Sequence, residues 1–151
     1  MRKLINTFVV IALLLLSAPA AHAAWEDIGT LPYTLASSQA FIANQSMYVV
    51  GGGGNTYYPN TLVGKIVQNN IPNWEQSPAP PLIWHTITGT QQKYLVGGYN
   101  FQTNTYSNKV YKINPGESSI VYDEMTSLPE ATALTDAFIS NDHIFVLGGS
   151  N

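Results

Sequence analysis

"AFIANQSMYVVGG", residues 40–52, returns almost letter for letter in physical type as "AFISNDHIFVLGG", residues 137–149. Between them "QKYLVGG", residues 92–98, repeats the closing half. The glycine pairs thus start at Gly51, Gly97 and Gly148, a spacing of 46 and then 51 residues. Self-similarity at such a period marks a chain of stacked supersecondary units and outranks any local propensity.

A second marker keeps step with the first. "WEDIGTLP" from Trp25, "WEQSPAPP" from Trp74 and "YDEMTSLP" from Tyr122 each place an aromatic, an acid and then a proline in the same relative positions. The two markers divide the chain into units of about 35–77, 83–124 and 133–151, the last holding only the first half of the pattern. Short runs rich in Val, Ile, Tyr and Thr, parted by Asn, Gly, Pro and Ser, read as strands and turns. Four strands are expected per complete unit, over 37–43, 46–50, 62–67 and 73–76, then 84–89, 93–96, 109–113 and 119–123. Asn44-Gln45, Gln91-Gln92 and Asn141-Asp142 stand where tight hairpin turns would join the first two strands of each unit. No stretch beyond residue 23 sustains a 3.6-residue period, so the fold is expected to be all-β.

A four-stranded antiparallel unit repeating at about fifty residues, with a hydrophobic strand ending in Gly-Gly, resembles the kelch repeat of β-propellers. The marks of the likeness are Gly51 and Gly52, Gly97 and Gly98, Gly148 and Gly149, Tyr111 in "VYKINP", and the aromatic positions Trp25, Trp74 and Tyr122. The first unit departs from the pattern, with Gly64 or Lys65 where a tyrosine is expected, and the second has Tyr122 in place of tryptophan. The resemblance implies propeller blades, about two and a half of them. An incomplete ring leaves open blade edges, so the expectation is a longer natural chain, with self-association of copies or an unstable product of a broken gene as alternatives. Physically, paired glycines suit a strand that enters a crowded inner region in an unusual backbone conformation. A large aromatic can then fill the wedge between adjacent sheets.

At the N-terminus Arg2 and Lys3 precede an apolar stretch from Phe8 to Leu16, followed by Ser17, Pro19 and Ala21-His22-Ala23. That is the layout of a secretory signal peptide over 1–23. Asn6, Thr7 and Pro19 keep the run short of the roughly twenty residues of a membrane span. Export to a bacterial periplasm or exterior is expected, with no membrane anchor after cleavage. Residues 24–151 then carry four lysines against nine carboxylates, a net charge of −5, and no arginine follows Arg2. A phosphate backbone needs several cations on one face, so nucleic acid is not an expected partner. The chain has no cysteine, which removes disulfides from the account of stability.

The loops after the glycine pairs and those after the aromatic markers are expected at one end of the blades. They carry Asn55, Tyr57, Tyr58, Tyr99, Asn100, Phe101 and Tyr106. Aromatic faces beside amides suit a glycan or a protein ligand; the alternative is that the aromatics simply fold back on the blade. Catalytic groups are fewer. His85 and Asp136, with Gln39, are read as equivalent positions at the start of the innermost strand, where they would line a central channel. His143 reads as a solvated turn residue. Glu26-Asp27 and Asp123-Glu124 are neighbours in sequence, so their side chains point to opposite faces of a strand and form a charged edge instead of a catalytic pair. Asn44-Gln45-Ser46 fits a glycosylation acceptor but is read as a turn. Gly51–Gly54 runs into Asn55-Thr56-Tyr57-Tyr58-Pro59, which cannot open the helix a phosphate-binding loop requires. His85 and His143 have no local ligand spacing, so neither metal nor cofactor is expected.

Kelch propellers mostly serve as interaction scaffolds, and the resemblance implies an exported binding module for a glycan or a protein. The group also includes exported N-acetylneuraminate epimerases (mutarotases), which stand as the enzymatic alternative. A sialic acid carboxylate would call for arginine, which is missing beyond Arg2. Kelch copper-radical oxidases need a cysteine, so the chain is not one of them.

Overall fold

A computed structural model describes residues 26–53, 57–58 and 60–151. Residues 1–23, expected from the sequence to be a signal peptide, lie outside the described residues, as do Trp25 and Asn55. Among those described every regular element is a strand.

The first unit is an antiparallel meander of β1 (Gln39–Ala43), β2 (Ser46–Val50), β3 (Asn60–Lys65) and β4 (Trp74–Pro78), paired in chain order. A small sheet follows in the connections: β5 (Leu82–Ile83) pairs with β8 (Tyr99–Asn100), and β8 with β9 (Thr105–Tyr106). The second unit repeats the meander with β6 (Thr86–Thr88), β7 (Lys93–Val96), β10 (Val110–Pro115) and β11 (Ile120–Glu124). The third holds the hairpin β12 (Asp136–Ser140) and β13 (His143–Leu147). The four-strand pattern of both units agrees with the sequence expectation; the β5-β8-β9 sheet does not arise from it. Its strands are two residues each, too short for an alternating pattern to register.

Two of the three hairpin turns are as expected. Asn44 and Gln45 (φ 49° and 57°) and Asn141 and Asp142 (48° and 60°) adopt the doubly left-handed turn whose twist matches that of paired strands. Gln91-Gln92 does not. There the connection runs over residues 89–92, with Gly89 at φ 103°, and the Lys93 ammonium donates to the carbonyls of Gly89 (2.8 Å) and Thr90 (2.6 Å).

The glycine pairs share one backbone conformation: φ 63° and 99° at Gly51-Gly52, 62° and 115° at Gly97-Gly98, 66° and 109° at Gly148-Gly149. Side chains are strained there, and crowding adds a second reason for glycine. A Cβ on Gly51 would lie 2.5 Å from His85 Cε1, and one on Gly97 would lie 2.5 Å from the Thr132 carbonyl. Both contacts cross to the next unit, so the first glycine of each pair lets successive units approach. At Gly148, nothing described comes within 4 Å.

The core lies between the first two units. Phe41, Tyr48, Val50 and Val63, on one face of the first sheet, pack on Leu82, Leu95, Ile113 and Ile120, each burial contributing roughly 1.5–3 kcal/mol. Phe41 stacks on Tyr48 at 4.9 Å and 11°. Polar bonds cross the same seam. Tyr122 shares a 2.6 Å bond with Thr61, Ser77 exchanges bonds with Ile120, Tyr48 donates to the Gly116 carbonyl, and Asn44 donates to that of Pro115. In the third unit the equivalent pair, Phe138 and Phe145, stacks at 5.1 Å and 8°, yet the two are 47% and 46% exposed where Phe41 and Tyr48 are 9% and 0%.

Register also corrects the sequence alignment of units. Val49 pairs Leu62 as Leu95 pairs Tyr111, so Leu62, not Gly64 or Lys65, occupies the tyrosine position. Gly64 instead faces Trp74 across β3 and β4, and a Cβ there would fall 2.9 Å from the indole. In the second unit Ile113 faces Tyr122. In the first unit the indole and the Ile71 side chain together close over Gly64, where the second unit sets Ile113 beneath Tyr122. The Trp74 indole N–H donates to the Thr30 carbonyl at 3.0 Å.

Candidate functional site

The end of β2, the start of β3, the end of β4 and the start of β1 lie together, since Gln39 pairs Val50 and Asn60 pairs Pro78. The loops after the glycine pairs and after the fourth strands therefore emerge at one end, as expected. Each connection into an inner strand is zipped to the residue following its unit's own glycine pair: Ala36 to Gly53, Ile83 to Tyr99, Ala133 to Ser150. One residue on, Ser37, Trp84 and Leu134 all adopt left-handed φ (58°, 54° and 56°). Such a conformation costs a non-glycine residue on the order of 1 kcal/mol or more, and the same position carries it in all three units.

The loops of successive units interlock through the main chain. Gly98 N–H donates to Thr132 O (2.8 Å), Ser107 N–H to Gly98 O (2.8 Å), Thr132 N–H to Ser107 O (3.1 Å), Leu128 N–H to Asn108 O (2.8 Å) and Leu134 N–H to Trp84 O (2.9 Å). The aromatics pair on this scaffold. Tyr33 stacks on Tyr58 (3.8 Å, 10°), Tyr57 of the first unit lies against Phe101 of the second, and Tyr99 meets both Trp84 (5.3 Å) and Tyr106 (5.4 Å, edge-on). All of these rings are half-buried. Tyr57 and Phe101 meet across units, whereas Trp84, Tyr99 and Tyr106 pack together within the second unit, which is the alternative the sequence left open. Tyr33 and Trp84 were missed as members of this cluster. The proline marker of "GTLPYT" was the signal for Tyr33; for Trp84 a left-handed φ at a bulky residue leaves no trace in sequence.

Asn100 accepts from the amides of Gln102 (3.0 Å) and Thr103 (3.3 Å), which shapes the loop that carries Phe101. Burial pushes the Tyr57 phenol up to about 12, and its buried hydroxyl has no partner among the described residues. It stays a protonated donor.

His85 does not stand where the sequence alignment put it. Gln39, Thr86 and Asp136 are the equivalent residues, each opposite the residue that precedes a glycine pair. His85 lies one earlier, in line with Ser38 and Thr135, and these three pack on the second glycine of their own pairs. The imidazole is 4% exposed. Its Nδ1 lies 3.2 Å from the Leu82 carbonyl, which can only accept, so Nδ1 carries the proton and Nε2 is a buried acceptor without a partner among the described residues. Burial lowers its pKa to about 4, with the Leu82 bond opposing. It is a neutral wedge between Gly51 and Gly98. Asp136 is exposed and accepts from the Ala137 amide at 2.8 Å, and no contact joins it to His85.

The other titratable candidates have local roles. His143 is exposed beside its turn, Nδ1 at 2.6 Å from Asn141 O. Asp123 and Glu124 point apart, the first accepting from Asn114 (2.7 Å), the second paired with Lys109. Among the described residues no three of His, Asp and Glu converge as a metal site.

No family model matches the chain, and none of the curated proteins does. Among solved structures, that of YjhT superimposes with a TM-score of 0.59 at 15% identity, over 79% of this chain and 45% of that one. The present chain thus spans less than half the length of that structure, and at this identity the likeness speaks to fold: the units are blades of a β-propeller type.

Proposed function

We propose that the chain is an exported binding module that holds a glycan or a protein on its loop face. The observation that carries this reading is the gathering of aromatic rings from successive units at one end, in the pairs Tyr33–Tyr58, Tyr57–Phe101 and Trp84–Tyr99. The groups read as catalytic lack such convergence: His85 is sealed and neutral, and Asp136 stands exposed on a different strand. A glycan array and a pull-down from periplasmic extract with the purified chain test the reading. Ligand capture that Tyr58→Ala abolishes is the expected result, and silence in both assays overturns it.

The resemblance to exported kelch proteins, with the leader-like residues 1–23, favours an N-acetylneuraminate epimerase-type enzyme as the second reading. Catalysed interconversion of sialic acid anomers in an NMR time course would support it. An unchanged rate would remove it.

A further inference from the structure

We propose that two copies of this chain associate edge to edge through β13, so that the β12-β13 hairpins of the two copies complete one four-stranded antiparallel sheet in the order β12-β13-β13-β12. The contact uses none of the loop-face rings and is independent of any ligand held there.

The second strand of a complete unit is an interior strand. β2 lies between β1 and β3, and β7 between β6 and β10. β13 holds the same place in the third unit, yet β12 is its only partner strand among the described residues. Among these residues its outer row of amides and carbonyls is open to a further strand. Where the complete sheets end on their outer side, at β4 and β11, exposed Glu75, Asp123 and Glu124 stand on the edge strand, and such charges discourage strand addition. β13, His143-Ile144-Phe145-Val146-Leu147, has no Asp, Glu, Lys or Pro and carries no such guard.

The residues of β13 suit it to pair with itself. A twofold axis normal to the sheet through Phe145 sets Ile144 opposite the partner's Val146, His143 opposite the partner's Leu147 and Phe145 opposite the partner's Phe145, an antiparallel register that uses the whole strand. Aliphatic side chains then face aliphatic ones and aromatic faces aromatic. Asp142, just before the strand, comes opposite the partner's Gly148, so no like charges oppose each other. Within each hairpin Phe138 already stacks on Phe145 at 5.1 Å and 8°. The twofold axis extends that pair into a row of four rings, and Phe145, 46% exposed, gains a ring on the side that β12 leaves open.

A second copy, and not an unrelated strand, fits this edge for two reasons. Both complete units stop at four strands, and two hairpins supply that number with neither left over. The pairing is also closed: once two copies meet, both β13 edges are used, whereas a head-to-tail contact would leave an edge free for the next copy.

Sedimentation velocity of the purified chain from about 2 to about 200 μM should show monomer passing to dimer with no larger species. Phe145→Lys places like charges directly across the axis and should raise the dimer dissociation constant by about tenfold or more. Phe145→Glu should do the same, and an equimolar mixture of the two variants should restore the dimer, which only folded chains meeting at that residue can do. Hydrogen exchange of the unaltered chain supplies a readout free of substitution: amides within residues 143–147 should be better protected at about 200 than at about 2 μM. A monomer at every concentration, larger open assemblies, a dimer unmoved by Phe145→Lys, a mixture no more dimeric than its components, or exchange independent of concentration each overturns the proposal.

Discussion

Acidifying the protein should weaken it through one imidazole. His85 titrates at about 4 in the folded chain because burial disfavours its cation, against about 6.5 when unfolded. Its folded-state pKa is depressed, so the neutral form contributes full stability above pH 6.5, and this is lost as pH falls from 6.5 towards 4. Each unit of difference is worth 1.36 kcal/mol, so the gap between 6.5 and about 4 amounts to about 3 kcal/mol. With a urea m value of about 2 kcal/mol/M for a domain of this size, the midpoint should fall by about 1.5 M across that window from this residue alone. Carboxylates also titrate at the acid end, so the informative quantity is the difference from His85→Gln, which keeps a donor for the Leu82 carbonyl but does not ionise. Urea unfolding at pH 7.5, 6.5, 5.5 and 4.5 should show the two proteins diverging in pH dependence below 6.5. Parallel curves through that range would refute the claim that His85 is a sealed, neutral wedge between the first two units.

Other substitutions probe the same seam. Gly51→Ala meets both left-handed φ and His85 at 2.5 Å, whereas Gly148→Ala meets the same φ with nothing within 4 Å; the first should cost about 2–4 kcal/mol and the second about 1, and equal unfolding midpoints would contradict the crowding argument. Tyr122→Phe removes the bond to Thr61 and should cost about 1–2 kcal/mol. Because burial raises the Tyr122 phenol, a spectrophotometric alkaline titration of the folded protein should lose its last-ionising tyrosine in that variant. Gln45→Gly places glycine at the second left-handed turn position (φ 57°) and should stabilise by up to about 1 kcal/mol; a lower thermal midpoint would count against the turn assignment.

The blade strands were legible because their signals are local. The β-prone runs of β2 and β10, the turn pairs Asn44-Gln45 and Asn141-Asp142, and Gly-Gly at a fixed phase each follow from a few consecutive residues. The candidate site was legible only as a set of loops. Tyr57, Tyr58, Tyr99, Phe101 and Tyr106 do belong to one end, but their partners, Tyr33 and Trp84, did not stand out. His85 was assigned the wrong neighbours because the repeat before β6 matches its counterparts nearly as well when slipped by one residue, and a slip of one reverses the face of a strand.

The amino-acid sequence by itself determined the period, the strands within each unit and the glycine positions, since backbone φ and β propensity are properties of short segments. Only the tertiary structure decided which surfaces meet: Gly51 against His85, Thr61 against Tyr122, Tyr57 against Phe101. These pairs lie 34, 61 and 44 residues apart in the chain. Their contact depends on how far one sheet turns and shifts against the next, and that is set by the packing of whole faces, not by any segment alone.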